Sequence, residues 1–149
     1  MNECKESEFR FNVPKLTGLT YELNDAYEKK SAPIKMKIHT ETKILKNDHN
    51  AYVSLELIVF DRDSCSRNEV PFYIDITMVG EFEWNDSIDE KFLGILLESN
   101  APATLLSYIR PYISNLTVGS GYPPLIIPLL NFKENKAEYV KGEDKNEIK

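Results

Sequence analysis

Residues 101–132, APATLLSYIRPYISNLTVGSGYPPLIIPLLNF, join a helical pattern to a proline-rich apolar run. In the first half, apolar side chains recur at steps of three and four, which places them on one face of a helix. These residues are Leu105, Tyr108, Ile109, Tyr112, Ile113 and Leu116. Asn100 is the predicted N-cap, and Pro102 suits the first turn because its missing N–H would have no partner there. Gly119 and Gly121 are predicted to end the helix, since glycine readily adopts the left-handed conformation common at helix ends.

The second half, residues 122–132, is named the connector. Pro123, Pro124 and Pro128 exclude a regular helix or a central strand, because proline lacks the N–H that both structures use. The connector is therefore predicted to be extended and rigid. Its apolar side chains must be buried against the chain itself or a partner, or else bind something.

The same stretch resembles SecB-type export chaperones. That family carries a helix with Tyr-x-Arg and a later Ile-Ser, then a glycine–aromatic–Pro–Pro turn and an Asn-Phe pair. The positions that match are Tyr108, Arg110, Ile113, Ser114, Leu116, Gly121, Tyr122, Pro123, Pro124, Asn131 and Phe132. A second match, FYIDITMVGEFEW at residues 72–84, resembles the family's strand that ends in a glycine and an aromatic residue. With a weaker match at residues 19–23, the resemblance covers most of the chain.

Composition sets the broad class of the protein. The chain has 149 residues, 42% hydrophobic and 28% charged, which is ordinary for one globular domain. A net charge of −6 argues against a nucleic-acid-binding protein, which normally carries a basic face. Cys4 and Cys65 are predicted to be free thiols, as in a reducing cytosol. We identify no apolar signal core at the N-terminus and no apolar run near the ~20 residues that span a bilayer, so a cytoplasmic protein without membrane contact is expected.

Upstream of the long helix, alternating apolar residues predict four antiparallel strands with no helix long enough for a parallel crossover. The predicted strands are residues 9–23 with an interruption at Pro14, 34–44, 51–60 and 70–78. Gly80 is predicted to break the last strand. Ser87 and Glu90 form a capping-box pattern for a short helix. Its inward residues are predicted to be Ile88, Phe92, Ile95 and Leu96.

The predicted fold class is therefore α+β: a four-stranded antiparallel sheet with one long helix and one or two shorter ones. A single domain spans residues 1–149, with a loose N-terminus at 1–7, a further helical pattern at 133–141 and a disordered tail at 142–149. One long helix covers only one face of such a sheet, so the remaining apolar residues predict at least a dimer. The resemblance implies a homotetramer, a dimer of dimers with the long helices, and hence the face from Leu105 to Leu116, packed between the dimers.

Motifs for chemistry are missing from the sequence. Gly119 and Gly121 lie at a helix end and make no phosphate loop. His39 and His49 have no second ligand at metal spacing, and the calcium-loop pattern that begins at Asp61 has Phe72 at its twelfth position. We therefore predict neither an enzyme nor a cofactor.

A holdase chaperone needs extended apolar surfaces and free strand edges rather than catalytic groups. The resemblance implies a client channel along the loop after the first strand, the glycine–aromatic end of the sheet, and the connector. The implied contacts are Leu23, Tyr27, Met78, Phe82, Trp84, Leu125, Ile127 and Phe132. The alternative is that these side chains belong to the core or to subunit contacts, which we favour for Met78 and Phe132. We favour client contact for Tyr27, Phe82, Trp84 and Ile127.

The resemblance also implies a docking face for the translocation motor SecA, formed by Glu22, Tyr73 and Asp75. Gly18 stands where the family usually has an aspartate, and Lys35 and Lys37 add positive charge, so electrostatic steering of a basic partner should be weaker. Pro111 stands where the family has an acid, and should free the carbonyl of Ser107 and kink the helix. The dimer is therefore better supported than the tetramer.

Two functional hypotheses follow from these observations. The first is an ATP-independent holdase that keeps unfolded preproteins competent for Sec export, or, as in some relatives, guards the antitoxin of a toxin–antitoxin system. The second is an oligomeric interaction protein whose apolar surface binds no client.

Overall fold

Six strands and one long helical segment make up the fold in this computed structural model, which describes residues 1–29, 33–142 and 148. The strands are β1 (Arg10–Phe11), β2 (Lys15–Leu23), β3 (Ile38–Lys46), β4 (Asn50–Val59), β5 (Phe72–Glu83) and β6 (Glu138–Tyr139). The helices are α1 (Glu90–Ile95) and α2 (Ala101–Gly119). A π-helical turn, Leu96–Asn100, joins them into one uninterrupted helical segment.

The sheet is mixed rather than purely antiparallel. Its four long strands pair antiparallel in the order β2-β5-β4-β3, and β1 continues along the β2 side of β5. The short strand β6 pairs parallel with β3, with Lys43 opposite Glu138. The α+β class is confirmed, but the predicted count of four strands is wrong: the predicted strand at 9–23 is divided into β1 and β2, and the two-residue strand β6 was not predicted. The predicted interruption of residues 9–23 is confirmed as the gap between β1 and β2.

The largest differences from the predicted strand limits are at the start of β3 and the end of β5. Strand β3 begins at Ile38, although the alternating pattern starts at Ile34. Gly80 lies inside β5, opposite Val53, and does not end the strand. A Cβ atom at Gly80 would lie 2.8 Å from the ring of Phe11 and 3.0 Å from Leu105. The glycine therefore permits close packing on β5, which the sequence pattern does not distinguish from a break.

The helical segment begins later than the capping-box pattern predicts. Asp89 is the N-cap, because its carboxylate accepts a hydrogen bond from the Lys91 backbone N–H at 2.9 Å. Phe92 and Ile95 are about half exposed, so the prediction that they face inward is wrong. The inward face consists of Leu93, Leu96 and Leu97. Both sets obey helical spacing, and packing against the sheet selects the second set.

The ends of α2 test the capping predictions. Asn100 has helical dihedral angles and makes no side-chain cap, so the predicted N-cap is wrong and the helix continues through it. The C-terminal prediction is confirmed: Gly121 has φ +81°, and the Tyr122 N–H donates to the Thr117 carbonyl at 3.0 Å. Pro111 lies within α2, and the helix continues across it.

The core lies between α2 and one face of the sheet. The helix contributes Leu105, Leu106, Ile109 and Ile113, and the strands contribute mainly Val53, Leu55, Leu57, Ile74 and Ile76. By length and composition alone, Glu90–Gly119 could cross a membrane, in contrast to the expectation from the sequence. In this fold its most apolar face packs against the sheet instead.

The C-terminal segment forms a strand where a helix was predicted. Residues Glu138–Tyr139 extend the sheet as β6, and the Val140 N–H donates to the Ile44 carbonyl at 2.9 Å. The disorder predicted for residues 142–149 falls mostly on positions outside the described residues. Cys4 and Cys65 are free, as predicted.

Candidate functional site

The predicted client contacts divide by burial into two groups. Five of the eight are buried inside the chain and cannot contact a client in this conformation: Met78, Phe82, Trp84, Ile127 and Phe132. In this conformation they belong to the core, which is the alternative favoured above for Met78 and Phe132. Met78 and Phe82 are inward because strand alternation points them at the face that α2 covers. Leu23 is exposed, and Tyr27 and Leu125 are partly exposed.

The face of α2 predicted to form an oligomer interface divides in the same way. Leu105, Ile109 and Ile113 are fully buried against the sheet, so they have no surface left for another subunit. Tyr108 and Tyr112 lie on the flank of the helix and are exposed. Leu116 is partly exposed. The predicted residues that are accessible on this helix are therefore Tyr108, Tyr112 and Leu116.

An apolar surface runs along β2 and the flank of α2, and is named the edge patch. It consists of Leu16, Leu19, Leu23, Tyr108 and Tyr112, all exposed. The helix contacts this edge of the sheet at two points: the ring of Phe11 in β1 lies 5.7 Å from that of Tyr108, and the hydroxyl of Tyr21 in β2 is 2.6 Å from Ser120 Oγ. Among the described residues, β2 pairs only with β5, so its other edge is free. The edge patch therefore combines apolar side chains with unpaired backbone groups.

The connector lies back along α2 and is fixed by two hydrogen bonds. Arg110 Nε donates to the Ile127 carbonyl at 2.7 Å, and the Leu125 N–H donates to Thr117 Oγ1 at 2.9 Å. These bonds turn Ile127 into the core and leave Ile126 and Leu129 facing out, with Leu129 85% exposed. Leu125, Ile126 and Leu129 are named the connector patch. The sequence prediction missed Ile126 and Leu129, since the prolines conceal which apolar side chains face inward.

The structure brings together the three residues of the predicted motor-docking face. Register places Glu22 opposite Tyr73, and Thr20 opposite Asp75. Arg62, from the loop after β4, pairs with Glu22 and lies 5.0 Å from the ring centroid of Tyr73. This cation therefore offsets part of the acidic charge. The sequence gives no signal for this contact, which depends on how the loop folds.

The acidic character of this face is strongest toward its middle. The pKa of Glu56 is raised, first by burial and then by the negative charges of Asp75 and Glu41, with Lys43 acting in the opposite direction. Glu41 and Glu56 are directly opposite in register. The face is thus acidic in the centre and partly neutralised by Arg62 at the β2 edge.

Side chains that could hold a metal are dispersed. Within residues 1–29, 33–142 and 148, no group of three or more His, Cys, Asp or Glu could bind one ion. His49 Nε2 instead lies 2.8 Å from Asp86 Oδ1 at the surface.

A family model described as "Preprotein translocase subunit SecB" matches residues 19–141, most of the chain. The chain belongs to the SecB family. The protein-export protein SecB of Rhodospirillum centenum is 24% identical over 139 residues, covering 88% of this chain and 82% of that relative. An uncharacterised protein of Methanocaldococcus jannaschii is 25% identical over 126 residues, covering 83% and 79%. In other relatives the matched region spans as little as 42% of the relative.

A solved structure shares the fold of this SecB-family chain. The SecB-like chaperone Rv1957 of Mycobacterium tuberculosis, in complex with a ChAD peptide from the HigA1 antitoxin, has a TM-score of 0.63 at 17% identity. The similarity covers 82% of this chain and 90% of that one. The family match supports a chaperone role for this chain.

Proposed function

We propose that the chain is an ATP-independent holdase that binds unfolded or non-native polypeptides. The observation that carries the proposal is the connector patch, where Ile126 and Leu129 are held outward by a segment that α2 fixes in place. Exposed aliphatic groups on a fixed, extended backbone favour apolar segments of many sequences, because burial of apolar area has no directional requirement.

Assembly is the second part of the proposal. The edge patch offers a free strand edge next to Leu19 and Tyr112, and pairing it with another copy would satisfy the backbone groups and bury both side chains. We propose at least a homodimer through this patch, and a tetramer formed from two such dimers.

The client has two candidate destinations, the export motor or a dedicated partner. Export would use the motor SecA on the acidic face that includes Asp75. The pairing of Glu22 with Arg62 reduces the negative charge that a basic motor would meet, which favours a dedicated antitoxin-type client instead. We place the protein in the cytoplasm in both cases.

The test is light scattering from a chemically denatured model enzyme diluted into buffer. The holdase should suppress aggregation at a near-stoichiometric ratio without nucleotide. If the chain forms a stable oligomer and suppresses nothing, it is an interaction protein without general clients. Binding of purified SecA, measured in parallel with Asp75→Asn as the comparison, decides between the export and dedicated-client versions.

A further inference from the structure

The N-terminal arm, residues 8–12, covers the aromatic end of β5. The ring of Phe9 stacks on Phe82 with centroids 5.4 Å apart and 17° between the planes, and lies 6.4 Å from Trp84. The ring of Phe11 stacks on Phe82 from a distance of 4.9 Å. Phe82 and Trp84 are therefore buried partly because a segment of the same chain lies on them.

The arm is attached like a short bound peptide. Its strand β1 is two residues long, with Arg10 opposite Glu83 and Phe11 opposite Phe82. One further backbone bond runs from the Asn12 N–H to the Glu81 carbonyl at 3.0 Å. Residues 1–8 are exposed. The attachment therefore consists of two aromatic side chains, a short antiparallel pairing, and side-chain hydrogen bonds of Glu8 with Ser87 and of Asn12 with Glu81 and Glu83.

The surface beneath the arm accommodates the rings of Phe9 and Phe11, and it continues past them as a cavity. Gly80 gives the Phe11 ring room, since a Cβ atom there would approach Phe11 Cε2 to 2.8 Å. A cavity of about 400 Å³ borders the two arm phenylalanines and continues between them and the helical segment. Ile88, Phe92 and Leu96 line its far side. The site is thus larger than the segment that fills it.

We propose that residues 8–12 are an internal, displaceable ligand, and that the site they fill accepts an extended segment of another polypeptide with two aromatic residues at positions i and i+2. In an antiparallel strand, such residues point to the same face, as Phe9 and Phe11 do toward Phe82. That the natural partner is a client rests on the proposed holdase function, whereas the occupancy of the site by the arm does not depend on it.

The arm and an external segment compete for the same site, and the arm has the advantage because it is covalently attached to the chain. A tethered ligand acts at an effective concentration in the millimolar range, so a free peptide meets a site that is mostly occupied. Its apparent affinity is lowered by the fraction of molecules in which the arm is released. Removing the two arm rings should therefore strengthen binding of an external peptide by about tenfold or more.

Trp84 is the only tryptophan and reports directly on the site. The experiment uses the full chain, the variant Phe9→Ala with Phe11→Ala, and Lys5→Ala as the control in the exposed part of the N-terminus. The probe is the peptide ESEFRFNV, which copies residues 6–13, and the comparison peptide is ESEARANV. Tryptophan emission should shift to longer wavelength in the double variant alone, and ESEFRFNV should reverse the shift saturably, while ESEARANV should not.

Equal affinity of ESEFRFNV for the double variant and the unaltered chain would overturn the proposal. If the double variant unfolds, hydrogen exchange on the unaltered chain tests the proposal instead. Excess ESEFRFNV should displace the arm and accelerate exchange of the Asn12 amide. Unchanged exchange would also overturn the proposal. If ESEFRFNV binds as expected but the protein does not suppress aggregation, the proposal for the arm stands and the holdase function is rejected.

Discussion

At the scale of single residues, Gly80 shows how one position couples the sheet, the helix and the N-terminal arm. A Cβ atom there would lie 3.0 Å from Leu105 and 3.2 Å from Phe82, both of them buried, so these packed side chains would have to shift. Gly80→Ala should therefore lower the free energy of unfolding by about 1–3 kcal/mol, as measured by urea denaturation. The matched control is Gly94→Ala in α1, where an added Cβ meets nothing within 4 Å and stability should stay level or rise. Equal effects of the two substitutions would contradict this account of Gly80.

Glu56 predicts a dependence of stability on pH. Its pKa in the folded chain is raised above the ordinary 4.5, by burial first and then by Asp75 and Glu41, despite Lys43. The folded state therefore binds more protons than the unfolded state between the two pKa values, so this contribution is present at low pH and is lost as pH rises through the folded pKa. Glu56→Gln should be more stable than the unaltered chain at pH 7.

The measurement for Glu56 is urea unfolding across a pH series. The stability difference between Glu56→Gln and the unaltered chain should shrink toward pH 4. Asp75→Asn removes one of the two charges and should reduce that pH dependence. A difference that stays constant with pH would show that the amide acts through packing instead.

The limits of sequence reasoning are also visible at single residues. Strand alternation places Met78 on the inward face of β5, where the side chain is buried. It cannot show that Trp84 is buried, because part of that burial comes from Phe9, 75 positions earlier in the chain. A contact between such distant segments depends on the folded path and leaves no local periodicity.

At the scale of elements, the strongest periodic signals are the ones that the structure confirms. Strand β4 follows the predicted strand at 51–60 within one residue, and α2 ends at the predicted glycine. Weaker signals fail: Asn100 is a good capping residue that the structure places inside a continuous helix, and β6 is too short to show alternation. Tertiary packing decides both cases, and local preference does not.

The docking of the connector on α2 gives a prediction at this scale. Thr117 is fully buried, and its hydroxyl oxygen is the acceptor for the Leu125 N–H. Thr117→Val keeps the shape but removes the acceptor, so the free energy of unfolding should fall by about 1–3 kcal/mol. Exchange of the Leu125 amide should also accelerate. Thr104→Val is the control, because the hydroxyl of the partly exposed Thr104 only donates to the Asn100 carbonyl, and the loss of stability should stay within about 0.5 kcal/mol. A matching loss in both variants would mean that the bond to Leu125 is not what holds the connector.

At the scale of the whole molecule, family and fold were within reach of the sequence, whereas the accessible surface was not. The resemblance carried by residues 101–132 agrees with the family match over 19–141. The same resemblance assigned Phe82 and Ile127 to a client channel, yet both are buried here. Accessibility depends on which segments lie over a side chain, and motif spacing contains no information about that. The apolar side chains that are exposed lie instead in the edge and connector patches.

These two patches give a prediction that separates assembly from client binding. The edge patch includes Leu19 on the free edge of β2, and the connector patch includes Leu129 on the outside of a different element. Leu19→Asp places a charge in the proposed subunit contact and should lower the mass measured by light scattering after size exclusion. Leu129→Asp should leave that mass unchanged and weaken client binding about tenfold, ~1.4 kcal/mol, somewhat less than complete burial of a leucine provides.

Both variants keep the core intact, because neither side chain is buried, and circular dichroism checks this. Both variants must be measured for oligomer mass and for client binding, because loss of the oligomer alone can also reduce chaperone activity. If Leu129→Asp dissociates the oligomer, the connector patch is a subunit contact and the client site must lie elsewhere. If Leu19→Asp leaves the mass unchanged and reduces aggregation suppression, the free edge of β2 receives clients and not a second subunit.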